Sequence, residues 1–327
     1  MNTFPAVRLR RLRRTASLRA LLDAPLPGPG RFLWPVFVTK GRGVREPIDA
    51  MPGQCRMSPD VLLRELEPVA VSGVGGILVF GLAGEREKDA KGAGAFNERG
   101  AVQQAVTQVK RAFPELTVFT DVCVCAYTRH GHCGPLDSGG GVDNDAALAV
   151  LAKTALSHAA AGADGVAPSA MMDGQVAAIR SALDGGGFTG TIIMSYSTKF
   201  ASAMYGPFRD AEKSAPKAGD RKGYQASYAN ERLALRESQL DILEGADILM
   251  VKPALFYLDI LAKLRAQTDL PIAAYNVSGE YSMLIATAKR GWGDLRSMVR
   301  ESTSAIARAG ADIIISYWAN RYKELFT

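Results

Sequence analysis

A three-residue motif recurs along this chain, and it limits what the chain can fold into. Gly162-Ala163-Asp164, Gly245-Ala246-Asp247 and Gly310-Ala311-Asp312 each follow a helical stretch and precede an apolar run. Glycine stops a helix because it enters the left-handed region without a Cβ penalty. A helix stop followed at once by a buried strand, repeated three times, implies successive βα modules. The apolar runs are 32–39, 76–80, 116–124, 164–168, 191–197, 247–252, 271–276 and 312–318. They are apolar nearly throughout rather than alternating, which suits parallel strands covered on both faces. Eight such strands with helices between them predict an α/β fold, a (β/α)₈ barrel. The runner-up is an open doubly wound sheet, but no well-placed G-x-G-x-x-G accompanies it.

Helix signals fill the intervals. Ser58-Pro59-Asp60 reads as an N-cap, a first-turn proline and a first-turn acid, with Pro68 expected to interrupt the helix locally. Residues 145–160, 230–244 and 294–309 carry leucines and other apolar residues at helical spacing. No apolar run approaches the ~18 residues that a membrane span needs. Charge is uneven: residues 1–23 contain six arginines and one acid, so they hold +5 of the net +6. The body is nearly neutral and carries no general polyanion-binding signal. The domain division expected is an arm, 1–29, and a barrel, 30–327. The basic arm has three readings: a nucleic-acid tail, a transit peptide, or an ordered arm packed on a partner subunit.

Barrel chemistry sits at the C-terminal ends of the strands, and three features fall there. The segment from Asp121 to Cys133 holds three of the four cysteines and two of the three histidines. Period-two alternation puts Asp121, Cys123 and Cys125 on one face, and a turn through Gly131 returns Cys133 to them. Three thiolates are a soft donor set suited to Zn²⁺, and three protein ligands leave the open position of a catalytic site. His132 is either a fourth ligand or a neighbour that supports the ligands, with the second reading favoured. Lys199 and Lys252 each close a strand. Burial and a neighbouring cation lower an ammonium pKa, which frees an amine to form a Schiff base. About thirty residues after Lys199 form a Gly-, Ser-, Pro- and charge-rich segment that reads as a lid. Arg209 and Arg221 on that lid suit bidentate capture of a carboxylate.

These residues lie in stretches that resemble porphobilinogen synthase (5-aminolevulinate dehydratase): DVCVC-YT-HGHCG, VAPSAMMDG, MSYSTKFASAMYGPFRDA, GDRKGYQ, MVKPA, YNVSGEYSM and ISYWA, with RLRRLRRTASLRALL in the arm. The resemblance spans residues 8 to 319. It implies condensation of two 5-aminolevulinate molecules to porphobilinogen with loss of two waters, in haem and other tetrapyrrole synthesis. By motif, Lys252 matches the Schiff-base lysine and Lys199 its partner. Cys123, Cys125 and Cys133 match the zinc ligands, and Arg209 and Arg221 the lid arginines for one carboxylate. Ser278 and Tyr317 match the residues holding the other carboxylate, and Asp121 and Ser169 are candidates for ligand support or proton transfer. Glu237 matches the outer glutamate of an allosteric Mg²⁺ site and reads equally as a solvent-facing helix acid. The resemblance also implies a cytoplasmic homo-octamer in which the arm wraps a neighbouring barrel, with neither nucleic acid nor membrane as partner. Two rivals remain: a class I aldolase-type Schiff-base barrel, which needs no thiol centre, and a non-enzymatic zinc protein binding nucleic acid through its arm.

Overall fold

The computed structural model describes residues 3–327. Ten strands form one sheet. Those of the barrel are β1 (Phe32–Val38), β4 (Gly76–Gly81), β5 (Thr117–Val122), β6 (Gly165–Pro168), β7 (Ile192–Lys199), β8 (Ile248–Lys252), β9 (Ile272–Asn276) and β10 (Ile313–Ser316). They pair in parallel in chain order, and β10 closes back onto β1 through Phe32↔Ile314 and Leu33↔Ile315. The expected (β/α)₈ barrel is therefore observed, with each strand within a few residues of its predicted run. Two strands were not anticipated. β2 (Arg45–Pro47) and β3 (Cys55–Met57) form an antiparallel pair that leans on the end of β1. Each is three residues long, too short for alternation to register.

The outer helices are α2 (Pro59–Val71), α3 (Ala101–Ala112), α4 (Asn144–Ala160), α5 (Gln175–Gly185), α7 (Glu231–Leu243), α8 (Leu258–Arg265), α9 (Ser278–Lys289) and α10 (Leu295–Arg308). Two local expectations are corrected. Ser58 occupies the N-cap position, but its hydroxyl accepts from Val44 N and donates to Asp60 and so does not cap the helix. Pro68 leaves α2 unbroken.

The Gly-Ala-Asp motifs form the feet of the barrel. Gly162, Gly245 and Gly310 have φ of 102°, 97° and 117°, which disfavours any Cβ there. Each aspartate then ties two neighbours to its own strand. Its amide donates to the preceding strand (Asp164 to Val118 O, Asp247 to Ile193 O, Asp312 to Ile272 O). Its carboxylate accepts the amide of Val118, Ile193 or Ile272 in return. A cation from the helix before that strand completes each foot: Lys110 on Asp164 at 3.0 Å, Arg180 near Asp247 at 3.9 Å and Arg265 on Asp312 at 3.0 Å.

The arm lies apart from this frame. From Thr3 to Leu26 no residue is buried, although α1 (Ala16–Leu22) is helical and capped by Thr15. Leu9, Leu12, Leu21 and Leu22 are more than half exposed. At the arm's root, Arg31 donates to the carbonyls of Ala311 and Asp312, which fixes the entry to β1 at the third foot.

Candidate active site

The opposite end of the barrel gathers the sequence-predicted residues. Lys199 and Lys252 are direct neighbours across β7 and β8. Their adjacency depends on an irregularity. The pairing starts as Met194↔Ile248 and Ser195↔Leu249 and resumes as Thr198↔Val251 and Lys199↔Lys252. One extra residue in β7 thus puts Lys199, and not Thr198, beside Lys252.

Both lysines are buried. The Lys252 amine sits among aromatic rings, 4.1 Å from the centroid of Tyr275, 4.7 Å from Phe208 and 5.0 Å from Tyr196. Burial, then repulsion from Lys199, brings its pKa down to about 7. Asp121, Ser169, Arg209 and Arg221 line the same cavity, with Phe80, Tyr205, Phe208 and Glu212 completing much of its wall. Burial, then the Glu212 charge, raises the Asp121 carboxyl to about 7 while the lysines pull the other way. Lys199 Nζ donates to the carbonyl of Ser169.

β5 ends at Val122, so Cys123 and Cys125 lie just past the strand and not on it as expected. The parallel register Val122↔Pro168 is the last in that pair. Even so the thiols meet. Gly131 takes φ 76°, and the sulfurs of Cys123, Cys125 and Cys133 all lie within 4.8 Å of one another, buried. The Cys133 thiol is held well below its usual range by hydrogen bonds from Cys123 and Cys125, with Arg221 adding its charge. Three buried cysteine sulfurs this close together are a donor set that fits a soft divalent cation. The three cysteines can hold a metal ion. His132 stands aside from them. Its Nε2 faces the carbonyl of Ala218 at 2.9 Å and therefore carries the proton, which leaves Nδ1 to accept from Tyr224 Oη at 3.1 Å.

The segment after Lys199 lies over the cavity, which Tyr205, Phe208, Arg209, Glu212 and Arg221 line. Sequence periodicity missed its helix, α6 (Gly206–Glu212), which is seven residues long and begins Gly-Pro. Arg56 donates to the carbonyls of Ala211 and Asp210, and Arg221 to those of Gly131 and Ser214. Ser278 sits at the start of α9, where its hydroxyl accepts the Phe208 amide at 3.0 Å. Tyr317, just after β10, shares a 3.0 Å hydrogen bond with Tyr275. Both hydroxyls are buried and engaged by protein groups. Polar groups remain unpartnered at this end: Asp121 Oδ1, Arg209 Nε and Arg221 Nε. Glu237 lies on α7, half-buried, in a separate cavity lined also by Met171, Asp173, Tyr224 and Gln225, its carboxyl pKa raised by burial and then by Asp173 and Glu244. Among the described residues no group of three metal-binding side chains forms around it.

Comparison with known proteins shows the family. A family model described as delta-aminolevulinic acid dehydratase matches residues 6–325. The delta-aminolevulinic acid dehydratase of Synechococcus elongatus is 50% identical over 97% of both chains, and that of Escherichia coli is 50% identical over 95% of both. Among solved structures, delta-aminolevulinic acid dehydratase (porphobilinogen synthase) from Toxoplasma gondii, in complex with the reaction product porphobilinogen, matches with a TM-score of 0.95. It is 41% identical, over 97% of this chain and 91% of that one. A closed parallel barrel with paired buried amines at its C-terminal mouth defines an enzyme class equipped for carbonyl condensation. Within that class the chain belongs to the delta-aminolevulinic acid dehydratase family, and it is an enzyme of tetrapyrrole synthesis that makes porphobilinogen from 5-aminolevulinate.

Proposed function

We propose that the reaction runs on Lys252, and the observation that carries this reading is a buried amine whose pKa is brought down to about 7 beside a second cation. The neutral amine adds to the ketone of one 5-aminolevulinate and expels water as the imine forms. Lys199, held by the Ser169 carbonyl, stands next to it and binds the second substrate or its developing oxyanion. A carbon beside the ketone of the second substrate then bonds to the imine carbon, from which the Lys252 amine departs, and the amine of the first substrate condenses with the second ketone, forming the C–N bond and releasing the second water. Two waters leave in total. Arg209 and Arg221 take one carboxylate and Ser278 and Tyr317 the other. The latter two become available when lid movement and substrate displace their present partners. Asp121 and Ser169 serve proton transfer at the imine. Holding two identical molecules in two orientations is the main gain.

Cys123, Cys125 and Cys133 would hold zinc, which supplies Lewis-acid polarisation when bound. His132 steadies the thiol loop against the lid. Glu237, the residue that matches the outer magnesium site, would contribute a carboxylate to a hydrated allosteric Mg²⁺, the alternative being a plain helix acid. The four free thiols support a reducing, cytoplasmic setting. No helix of the described residues is long and apolar enough to cross a membrane. The arm's exposed leucines support packing on a second copy, in a homo-octamer without nucleic acid. Burying each would contribute ~1.5–3 kcal/mol before ordering losses. Deleting residues 1–23 is expected to yield a smaller, less active oligomer by sedimentation, with each barrel folded; an unchanged large assembly would sink this role.

The deciding experiment measures porphobilinogen formed from 5-aminolevulinate, with chelator and with Zn²⁺ or Mg²⁺ restored separately. Zinc is expected to restore the chelated enzyme and magnesium to stimulate it further. Absence of product from the metal-replete enzyme would refute the reading.

A further inference from the structure

A buried carboxylate joins three strand ends that carry separate parts of the site. Glu280, in the first turn of α9, is fully buried. Its Oε2 accepts from the Val277 amide at 2.9 Å and from Asn276 Nδ2 at 2.8 Å, and its Oε1 accepts from the Leu255 amide at 2.8 Å. Asn276 ends β9, and its Oδ1 accepts at 3.0 Å from Oγ of Ser316, which ends β10. The Val277 bond is the ordinary reach-back of a helix cap. The bonds to Leu255 and Asn276 add nothing to a cap. They fasten the segment after β8 to the ends of β9 and β10.

Each of those ends carries a group assigned to the substrates. Lys252 is the last residue of β8, Ser278 follows just after Asn276, and Tyr317 directly follows Ser316. The Lys252 amine packs 4.1 Å from the centroid of the Tyr275 ring, whose hydroxyl bonds to that of Tyr317 at 3.0 Å. The molecule whose ketone meets Lys252 is therefore the one whose carboxylate reaches Ser278 and Tyr317. We propose that Glu280 is a positioning residue that sets the span between the Lys252 amine and the Ser278–Tyr317 pair, so that the site selects keto acids with two methylenes between ketone and carboxylate. This rests on the assignments of Lys252, Ser278 and Tyr317 made above. Glu280 acts through backbone amides and Asn276 rather than on substrate. The span matters because a misplacement of about 1 Å costs on the order of a hundredfold in rate. Glutamine at this position has one acceptor oxygen, and its NH₂ group would face either the Leu255 amide or the Asn276 and Val277 donors. One strand end is then released whichever way the side chain lies.

Three ketones test this on the full-length enzyme: levulinate, with two methylenes between ketone and carboxylate; 5-oxohexanoate, with three; and butanone, with no carboxylate. Borohydride trapping on Lys252 is followed against the concentration of each. Wild-type enzyme is expected to half-saturate with levulinate at least about tenfold below 5-oxohexanoate, the scale of one methylene in a fitted site. In Glu280→Gln that ratio should shrink below about threefold, through weaker levulinate, with butanone trapping changed less than about threefold because the amine is kept. Ser316→Ala removes the β10 link alone from the Glu280–Asn276 chain. It should lower the ratio by a smaller factor, about twofold to fivefold, and it carries the test if Glu280→Gln does not fold. An unaltered ratio in the folded variant, whatever its melting temperature, would show that Glu280 only caps and packs, and would overturn the proposal. Equal losses for all three ketones, butanone included, would do the same. Wild-type enzyme that traps levulinate without preferring it to 5-oxohexanoate would also overturn it, with the role of Lys252 intact. Wild-type enzyme that traps neither levulinate nor 5-aminolevulinate would instead refute the assignment of Lys252, and the inference with it.

Discussion

The two ends of the barrel treat charge in opposite ways. At the feet, Asp164, Asp247 and Asp312 stand at the surface with their carboxylates bonded to backbone amides and faced by Lys110, Arg180 and Arg265. At the mouth, Lys199, Lys252, Arg221 and Glu212 are buried, and Asp121 Oδ1 and two arginine Nε atoms have no partner. The feet hold strands to helices with repeated, satisfied contacts. The mouth keeps polar groups unsatisfied so that a substrate can satisfy them. Stability and function are divided between the two ends, as the barrel's geometry permits.

Substitutions at the two ends should therefore differ in sign as well as size. The largest effect is expected from Lys252→Met. It should abolish turnover and borohydride trapping, yet raise unfolding free energy by about 1–3 kcal/mol, because it replaces a desolvated amine with an apolar chain. Calorimetry beside the activity assay decides this, and a destabilised variant would contradict the view that the mouth opposes folding.

Cys125→Ser comes next. Its metal affinity is expected to fall about 100-fold or more, with most activity lost and far-ultraviolet circular dichroism unchanged, since the thiols lie beyond β5. Metal analysis after dialysis reads the first, and retention of metal would break the assignment of the thiol centre.

The third test is pH. Lys252 has a folded pKa of about 7, below the unfolded value of ~10.4. Below pH 7 the amine is protonated in both states, and above 7 only the folded chain has lost the proton. The unfolded chain then binds more protons, so this group's contribution to stability rises from pH 7 to about 10. Imine trapping should follow the neutral amine, falling about tenfold per unit below pH 7. A flat rate between pH 5 and 8 would show that Lys252 is not the nucleophile.

The smallest effect belongs to the feet. Asp312→Ala removes the acceptor of the Ile272 amide and the Arg265 contact, at about 1–2 kcal/mol of stability. The midpoint in urea should drop while kcat per folded molecule is retained. A large loss of kcat would mean that the two ends are coupled.

Much of this was legible in the chain itself, for local reasons. Strands and helices announce themselves by apolar periodicity, and the Gly-Ala-Asp feet by a glycine that only one backbone conformation explains. The strand-end lysines and the close-set cysteines follow from sequence position alone. Other features arise from contacts between distant segments. The extra residue in β7 that aligns Lys199 with Lys252 is a matter of register, and nothing in Met194–Lys199 marks it. Glu212 lies 87 residues from Cys125, on a helix too short and too glycine- and proline-led to show a period. The rings around the Lys252 amine come from β4, β7, α6 and β9 and the turn between β7 and α6. Local pattern depends on near neighbours along the chain, so the sequence determined the elements and the kinds of group at their ends. Register and burial depend on closure of the whole barrel, so tertiary structure alone decided which groups share a cavity, which lose their water, and how their charges are set.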